Sequence, residues 1–228
     1  MKDKIITALD FDTAAEAKQL VDNLDKAVFF KVGLQAFLGF GDECIGHLKQ
    51  KKKKLFLDLK FKDIPNTVSG AVKSALKYDP DFLTIHLSGD AEMIKKALEA
   101  AEEKPGLTIL GVTVLTSLSN IDLIETGIYF SARDTVLRLC ELGLKNGLKS
   151  FVCSPREIEP IREKFGNDVV LVTPGIRPDW AAKGDQKRIF TPKMAIEAGS
   201  DYLVINRPIS RSDDPGTAFA KILAEISK

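Results

Sequence analysis

Two rhythms of apolar and polar positions alternate along the chain. Short apolar runs, bounded by charged or turn-forming residues, are followed by longer stretches in which apolar residues recur every three or four positions. The first run, Ile5 to Leu9, ends at Asp10, and Thr13 to Leu24 then carries Ala14, Ala17, Leu20, Val21 and Leu24 on one side. A strand followed by a helix is predicted. The pair repeats as strand Val28 to Val32, interrupted by Lys31, with helix Phe37 to Lys49. Strand Leu55 to Leu59 precedes helix Thr67 to Lys77, and strand Phe82 to His86 precedes helix Ala91 to Glu103. Strand Thr108 to Leu115 leads through an irregular segment with a short helical turn to helix Ala132 to Lys145. Strand Ser150 to Cys153 is followed by helix Pro155 to Phe165, then strand Val169 to Thr173 and a long loop from Pro174 to Arg188. Helix Pro192 to Ala198, strand Tyr202 to Ile205, loop Asn206 to Asp214 and helix Pro215 to Ile226 complete the pattern.

Eight strands alternating with eight helices, without a linker or composition shift, predict an α/β fold of the (β/α)₈ TIM barrel type, one domain over 1–228. A doubly wound open sheet is the alternative. In a barrel the active site lies at the C-terminal ends of the strands. The polar residues that end or interrupt these strands gather there: Asp10, Lys31, Asp58 with Lys60, His86, Thr116, Ser154, and the loops carrying Arg177 and Arg207.

Charge narrows the function class. The chain has 228 residues with 33 Lys and Arg against 32 Asp and Glu, a net charge of +1, so nothing points to nucleic acid or an anionic membrane. A small-molecule ligand is expected. Cys44, Cys140 and Cys153 are far apart, with neither metal-ligand spacing nor an even disulfide count. No apolar run approaches a membrane span, and Met1-Lys2-Asp3-Lys4 leads directly into the first strand. These features predict a reduced, cytoplasmic setting. The lysines from Lys51 to Lys54 follow a helix end, where the dipole favours cations.

The densest chemistry is Asp58-Leu59-Lys60-Phe61-Lys62-Asp63-Ile64-Pro65-Asn66-Thr67. Strand alternation puts Leu55, Leu57 and Leu59 on one face, and Phe56, Asp58 and Lys60 on the other. Asp63, three residues further on, is expected to bracket the Lys60 ammonium together with Asp58, and Pro65 suits the first turn of the next helix. A surface salt bridge is the competing reading, weakened by the gathering of polar residues at so many strand ends. Thr173-Pro174-Gly175-Ile176-Arg177 and Asn206-Arg207-Pro208 follow the seventh and eighth strands, where barrels often bind phosphate. Arginine offers a planar fork to phosphate; its place after the last strand favours that reading for Arg207, whereas Arg177 alone fits an ordinary surface arginine equally well. Gln186 could bridge phosphate to another ligand group. His86 reads as a hydrogen-bonded supporting residue, and His47 as a helix residue without a carboxylate pattern. Trp180 could contribute to loop closure or be a solvent-exposed anchor. No metal cluster, nucleophile–histidine pairing or Walker glycine loop is evident.

Together these segments resemble the orotidine 5′-phosphate decarboxylase family over essentially the whole chain. The resemblance rests on Asp10, Lys31 in Phe30-Lys31-Val32-Gly33, the decapeptide Asp58 to Thr67, Pro174 to Pro178, and Arg207-Pro208. Val112 to Ser117, Val152-Cys153-Ser154 and Gly184-Asp185-Gln186 look like further family segments. Asn206 departs from the family's usual glycine; its amide is expected to approach phosphate, and asparagine tolerates unusual backbone angles.

The resemblance implies conversion of orotidine 5′-phosphate to UMP and CO₂, the last step of de novo pyrimidine synthesis, with no metal or organic cofactor. It implies that Lys60 stabilises and protonates the carbanion, with Asp58 and Asp63 holding it in place and Lys31 in the same charge network. Asp10, Lys31 and Thr67 would contact ribose or that network. Thr116 and Ser154 would lie on the base side, and Gln186 and Arg207 would hold phosphate with Arg177 in the closing loop. It further implies a homodimer with shared active sites, to which Asp63 and Thr67 contribute from the partner. Magnesium-dependent sugar-phosphate decarboxylases or aldolases of the same superfamily share Asp-x-Lys-x-x-Asp but characteristically have glutamate at the position of Lys31. A non-catalytic nucleotide-binding barrel is a further alternative, but it would need a missing charged residue, and all four are present.

Overall fold

The computed structural model describes residues 1–181 and 190–227. Eight parallel strands close in sequential order into a barrel: β1 (Ile5–Ala8), β2 (Phe29–Gly33), β3 (Lys54–Phe61), β4 (Phe82–His86), β5 (Thr108–Val112), β6 (Ser150–Val152), β7 (Val170–Pro174) and β8 (Tyr202–Ile205). The helices between them are α1 (Ala14–Asn23), α2 (Leu34–Gln50), α3 (Pro65–Ala75), α4 (Ala91–Ala101), α5 (Asn120–Glu125), α6 (Ala132–Lys145), α7 (Ile158–Phe165), α8 (Pro192–Glu197), α9 (Arg207–Ser210) and α10 (Pro215–Ile226). The TIM barrel expected from the alternation is thus observed. No helix among the described residues is long and apolar enough to cross a membrane.

Strand alternation divides the core into two layers. Leu55, Leu57 and Leu59 pack outward among the helices, with Val68, Val72 and Ile94 in the same large cluster. Ile6, Phe29, Phe56, Phe82, Leu110, Val172 and Val204 form a separate cluster inside the barrel. Phe29, Phe82 and Tyr202 open their strands and plug the N-terminal end, with ring centroids 4.9 Å apart for Phe29–Phe82 and 5.1 Å for Phe82–Tyr202. Two residues further along, the same inward face becomes polar: Phe29 is followed by Lys31, Phe56 by Asp58 and Phe82 by Thr84. One end of the barrel is therefore a packed apolar plug and the other a polar floor.

Several boundaries differ from the periodicity. α2 begins at Leu34 rather than Phe37, and Phe40 is non-helical (φ −158°, ψ 30°). Leu34 and Leu38 are solvent-exposed, so the early helix breaks the apolar spacing. β5 stops at Val112 because β6 is short: its ladder with β5 consists of Gly111↔Phe151 and Val112↔Val152. Arg207–Ser210, expected as loop, is a helical turn: the Asn206 carbonyl accepts from Ile209 N–H at 2.8 Å and Ser210 N–H at 3.0 Å. A single turn is too short to leave a periodic trace. The three cysteines are buried and unpaired.

Candidate active site

Asp58 stands at the centre of the polar end, and its carboxylate is held from three sides. Lys60 Nζ donates to Oδ1 at 2.7 Å, the Thr84 hydroxyl donates to the same oxygen at 3.1 Å, and Lys31 Nζ lies 3.4 Å from Oδ2. Asp58 and Lys31 are each only 9% exposed. Burial pushes the Asp58 carboxyl upward, but the Lys31 and Lys60 ammoniums and the hydrogen bonds from Lys60 and Thr84 outweigh it, leaving a net downward shift. Asp58 is thereby favoured as a carboxylate.

The local backbone is irregular. Between the pairs Leu57↔Leu83 and Phe61↔Ile85, β3 advances further than β4, which makes a bulge. Lys60 sits in it with φ +52°, and its N–H donates to Thr84 Oγ1 at 2.8 Å. Thr84 therefore braces both the Asp58 side chain and the Lys60 main chain. The sequence reading missed this residue, although its inward position two residues before His86 was a usable signal.

Lys31 extends the network toward β1. Its ammonium donates to Asp10 Oδ1 at 3.3 Å, and Asp10 Oδ2 accepts from Asn206 Nδ2 at 2.7 Å. A Cβ on Gly33 would stand 3.0 Å from Lys31 Nζ and 3.5 Å from Asp10 Oδ1, so a residue without a side chain leaves room for this pair.

Above the network is a cavity of about 330 Å³, a size suited to a small ligand. Asp10, Lys31, Asp58 and Lys60 line its floor, Thr116 and Leu115 lie on one wall, and Arg177, Asn206 and Arg207 lie on another. Gly175, at φ +80°, adopts the left-handed conformation that glycine takes without strain. The apolar lining residues Val112, Val114, Val152 and Ile176 fall in segments that carry the family resemblance, but the sequence assigns them no role. They follow from barrel closure, which alone brings β5, β6 and β7 to a common mouth.

Three expected site residues lie outside this chain's own cavity lining. Asp63 does not bracket Lys60: it is exposed, lies outside the cavity lining, and accepts from the Ile64 N–H at 2.7 Å. After Phe61 the chain leaves the sheet, so closeness in sequence does not become closeness in space. Thr67 and Ser154 also lie outside the lining; Thr67 is exposed, and the Ser154 N–H donates to Glu157 Oε2 at 2.7 Å. Asn206 lines the cavity; its amide donates to Asp10 at 2.7 Å, and its backbone at φ −116°, ψ −96° takes an unusual conformation of the kind expected there. Gln186 lies outside the described residues.

The histidines also differ from expectation. His47 pairs with Asp22 of α1 at 3.0 Å, a cross-helix carboxylate that spacing within α2 could not reveal. His86 makes no side-chain hydrogen bond among the described residues; burial, followed by the Lys62 and Lys60 charges, lowers its pKa. Trp180 is 46% exposed, with Lys221 Nζ 5.6 Å from its ring centroid.

No group of three or more His, Cys, Asp or Glu side chains is placed to hold a metal among the described residues. The anionic centre, Asp58, instead faces two ammoniums. Such a site can present a fixed cation to charge developing on a ligand, with arginines at the far side for an anionic handle. Residues 3–222 match the family model described as "Orotidine 5′-phosphate decarboxylase / HUMPS family". The chain belongs to that family. The family resemblance read from the sequence is thus established.

Full-length relatives agree with this family. A protein named orotidine 5′-phosphate decarboxylase from Actinobacillus succinogenes is 43% identical over 230 residues, covering 100% of this chain and 99% of its own. One of the same name from Actinobacillus pleuropneumoniae is 44% identical over 229 residues, covering 99% and 100%. The crystal structure of orotidine 5′-phosphate decarboxylase from Lactobacillus acidophilus superposes with a TM-score of 0.87 at 35% identity, covering 99% of this chain and 100% of that one.

Proposed function

We propose that this protein is an orotidine 5′-phosphate decarboxylase, a carboxy-lyase that forms UMP and CO₂ in pyrimidine biosynthesis. One observation carries the reading from family to chemistry: Lys60 presents its ammonium to the cavity 2.7 Å from Asp58, whose other oxygen faces Lys31. When the bond from C6 to the carboxylate breaks, its electron pair stays on C6, where the ring offers no electron sink. The Lys60 ammonium stabilises that charge and then transfers a proton to C6; water reprotonates the amine. The interaction matters more in the transition state than in the ground state, which is the condition for catalysis.

Arg207 and Gln186 hold the phosphate in this reading, with Arg177 in the closing loop. Asp10 and Lys31 face the ribose and the charge network, while Thr116 and Ser154 serve the base side. The protein acts as a homodimer with shared sites, Asp63 and Thr67 reaching the partner's cavity; their exposure outside their own cavity supports this arrangement. The three unpaired cysteines support a cytoplasmic setting. A magnesium-dependent sugar-phosphate reaction is disfavoured because the Lys31 ammonium stands beside Asp58, where a metal would need an anionic ligand.

The test is to mix pure protein with orotidine 5′-phosphate, follow the loss of the substrate's ultraviolet absorbance, and identify UMP. Turnover is expected, unchanged after exhaustive EDTA treatment. Absence of UMP overturns the reading, and a loss restored by Mg²⁺ favours the sugar-phosphate class.

A further inference from the structure

Asp10 lies just beyond β1, with its side chain 40% exposed, and two side chains hold its carboxylate. The contact from Lys31 is 3.3 Å, whereas that from Asn206 is 2.7 Å, so the shorter restraint comes from the end of β8. The orientation of the Asn206 amide is fixed from both sides. A carboxylate only accepts hydrogen bonds, so Nδ2 must face Asp10; Oδ1 accepts from the Ser210 hydroxyl at 2.8 Å. Reversing the amide would set oxygen against oxygen at Asp10. Asn206 also precedes Arg207 directly and receives the first hydrogen bonds of α9 through its carbonyl.

We propose that Asn206 is a positioning residue that orients Asp10, and through Asp10 the Lys31–Asp58–Lys60 charges. The proposal rests on the reading of the cavity as the orotidine 5′-phosphate site. Without this amide, Asp10 turns toward solvent and Lys31 keeps one of its two carboxylates. The arrangement needs a neutral side chain that donates at one end and accepts at the other. Alanine supplies neither; aspartate keeps the shape but sets a carboxylate against Asp10.

The test is a double-mutant cycle with Asn206→Ala and Asp10→Ala, read as kcat/KM for orotidine 5′-phosphate and as UMP and uridine affinity by calorimetry. Asn206→Ala is expected to lower kcat/KM about tenfold, the usual scale for losing a hydrogen bond to a charged group. It should have little further effect once Asp10 is alanine. UMP and uridine should weaken by the same factor, because the lost restraint acts on Asp10 rather than on phosphate. Asn206→Asp, though isosteric, should be worse than Asn206→Ala, the reverse of what simple space filling requires. Circular dichroism and melting curves establish that each variant is folded. Independent, multiplicative losses in the cycle, or a loss confined to UMP, overturn the proposal. If wild-type protein forms no UMP, the decarboxylase reading falls separately, and the affinity cycle still decides whether Asn206 works through Asp10.

Discussion

Lys60 folds its ammonium back onto Oδ1 of Asp58 at 2.7 Å while its own backbone occupies the left-handed region at φ +52°. For a residue with a side chain that conformation costs about 1–2 kcal/mol. The Lys60 N–H bond to Thr84 and the ion pair to Asp58 offset it. Local strain is thus held in place by the groups that define the floor of the cavity, a pattern found where geometry serves chemistry.

Lys60→Ala is therefore expected to fold and bind UMP within about tenfold of wild type while losing at least ~10³-fold in kcat, since cation and proton donor act chiefly in the transition state. Single-turnover measurement with orotidine 5′-phosphate checks the rate, and calorimetry checks the binding. Turnover near wild type would remove Lys60 from the mechanism.

The barrel was legible because parallel strands covered on both faces leave nearly continuous apolar runs, and the polar residues ending those runs mark one rim. Phe82–His86, Ala132–Lys145, Tyr202–Ile205 and Pro215–Ile226 match their predicted bounds. The start of α2 was hidden because Leu34 and Leu38 face solvent, and the single turn of α9 leaves no period. Within the site, Asp10, Lys31, Asp58 and Lys60 declared themselves as charges at strand ends, and the cavity brings them together. Thr84 did not, since a threonine in a strand is ordinary until its hydroxyl is seen on Asp58. Nor did the Asn206–Asp10 bond, which joins residues 196 positions apart and exists only because β8 closes on β1.

Arg207 faces the cavity from the turn after β8, where a guanidinium fork can meet phosphate oxygens. Arg207→Ala should weaken UMP by about 10- to 100-fold while changing uridine affinity little, because only the nucleotide carries the charged acceptor. Calorimetric titration of both ligands checks this. Equal losses would place the phosphate elsewhere.

The downward shift at Asp58 makes stability depend on acid. The unfolded carboxyl titrates near its ordinary value of about 4, whereas the folded one titrates lower, so between the two values the unfolded chain binds more protons. The stability Asp58 contributes is complete above the unfolded value and is lost as pH falls through the folded one. Asp58→Asn should therefore melt below wild type at neutral pH, by a margin that narrows as pH approaches about 3. Asp22 and Asp122 have lowered values as well, so the difference between the two proteins, rather than either melting curve alone, isolates Asp58. A margin that stays constant from pH 7 to 3 would show that its charge adds no pH-linked stability.

Asp63 provides the sharpest test of assembly. Its carboxylate lies outside the lining of its own cavity and accepts from the Ile64 N–H, while Leu38 and Ile64 are 80% and 67% exposed. In the shared-site arrangement Asp63 completes the partner's site, and a two-fold axis repeats the exchange reciprocally. Lys60→Ala and Asp63→Ala homodimers should then each be nearly inactive. A heterodimer of the two carries both defects in one site and neither in the other. Random exchange of equal amounts should restore about one quarter of wild-type activity per total site. Native mass spectrometry verifies exchange independently; if heterodimers form and activity stays at the level of the separate mutants, Asp63 works within its own chain and the sites are not shared.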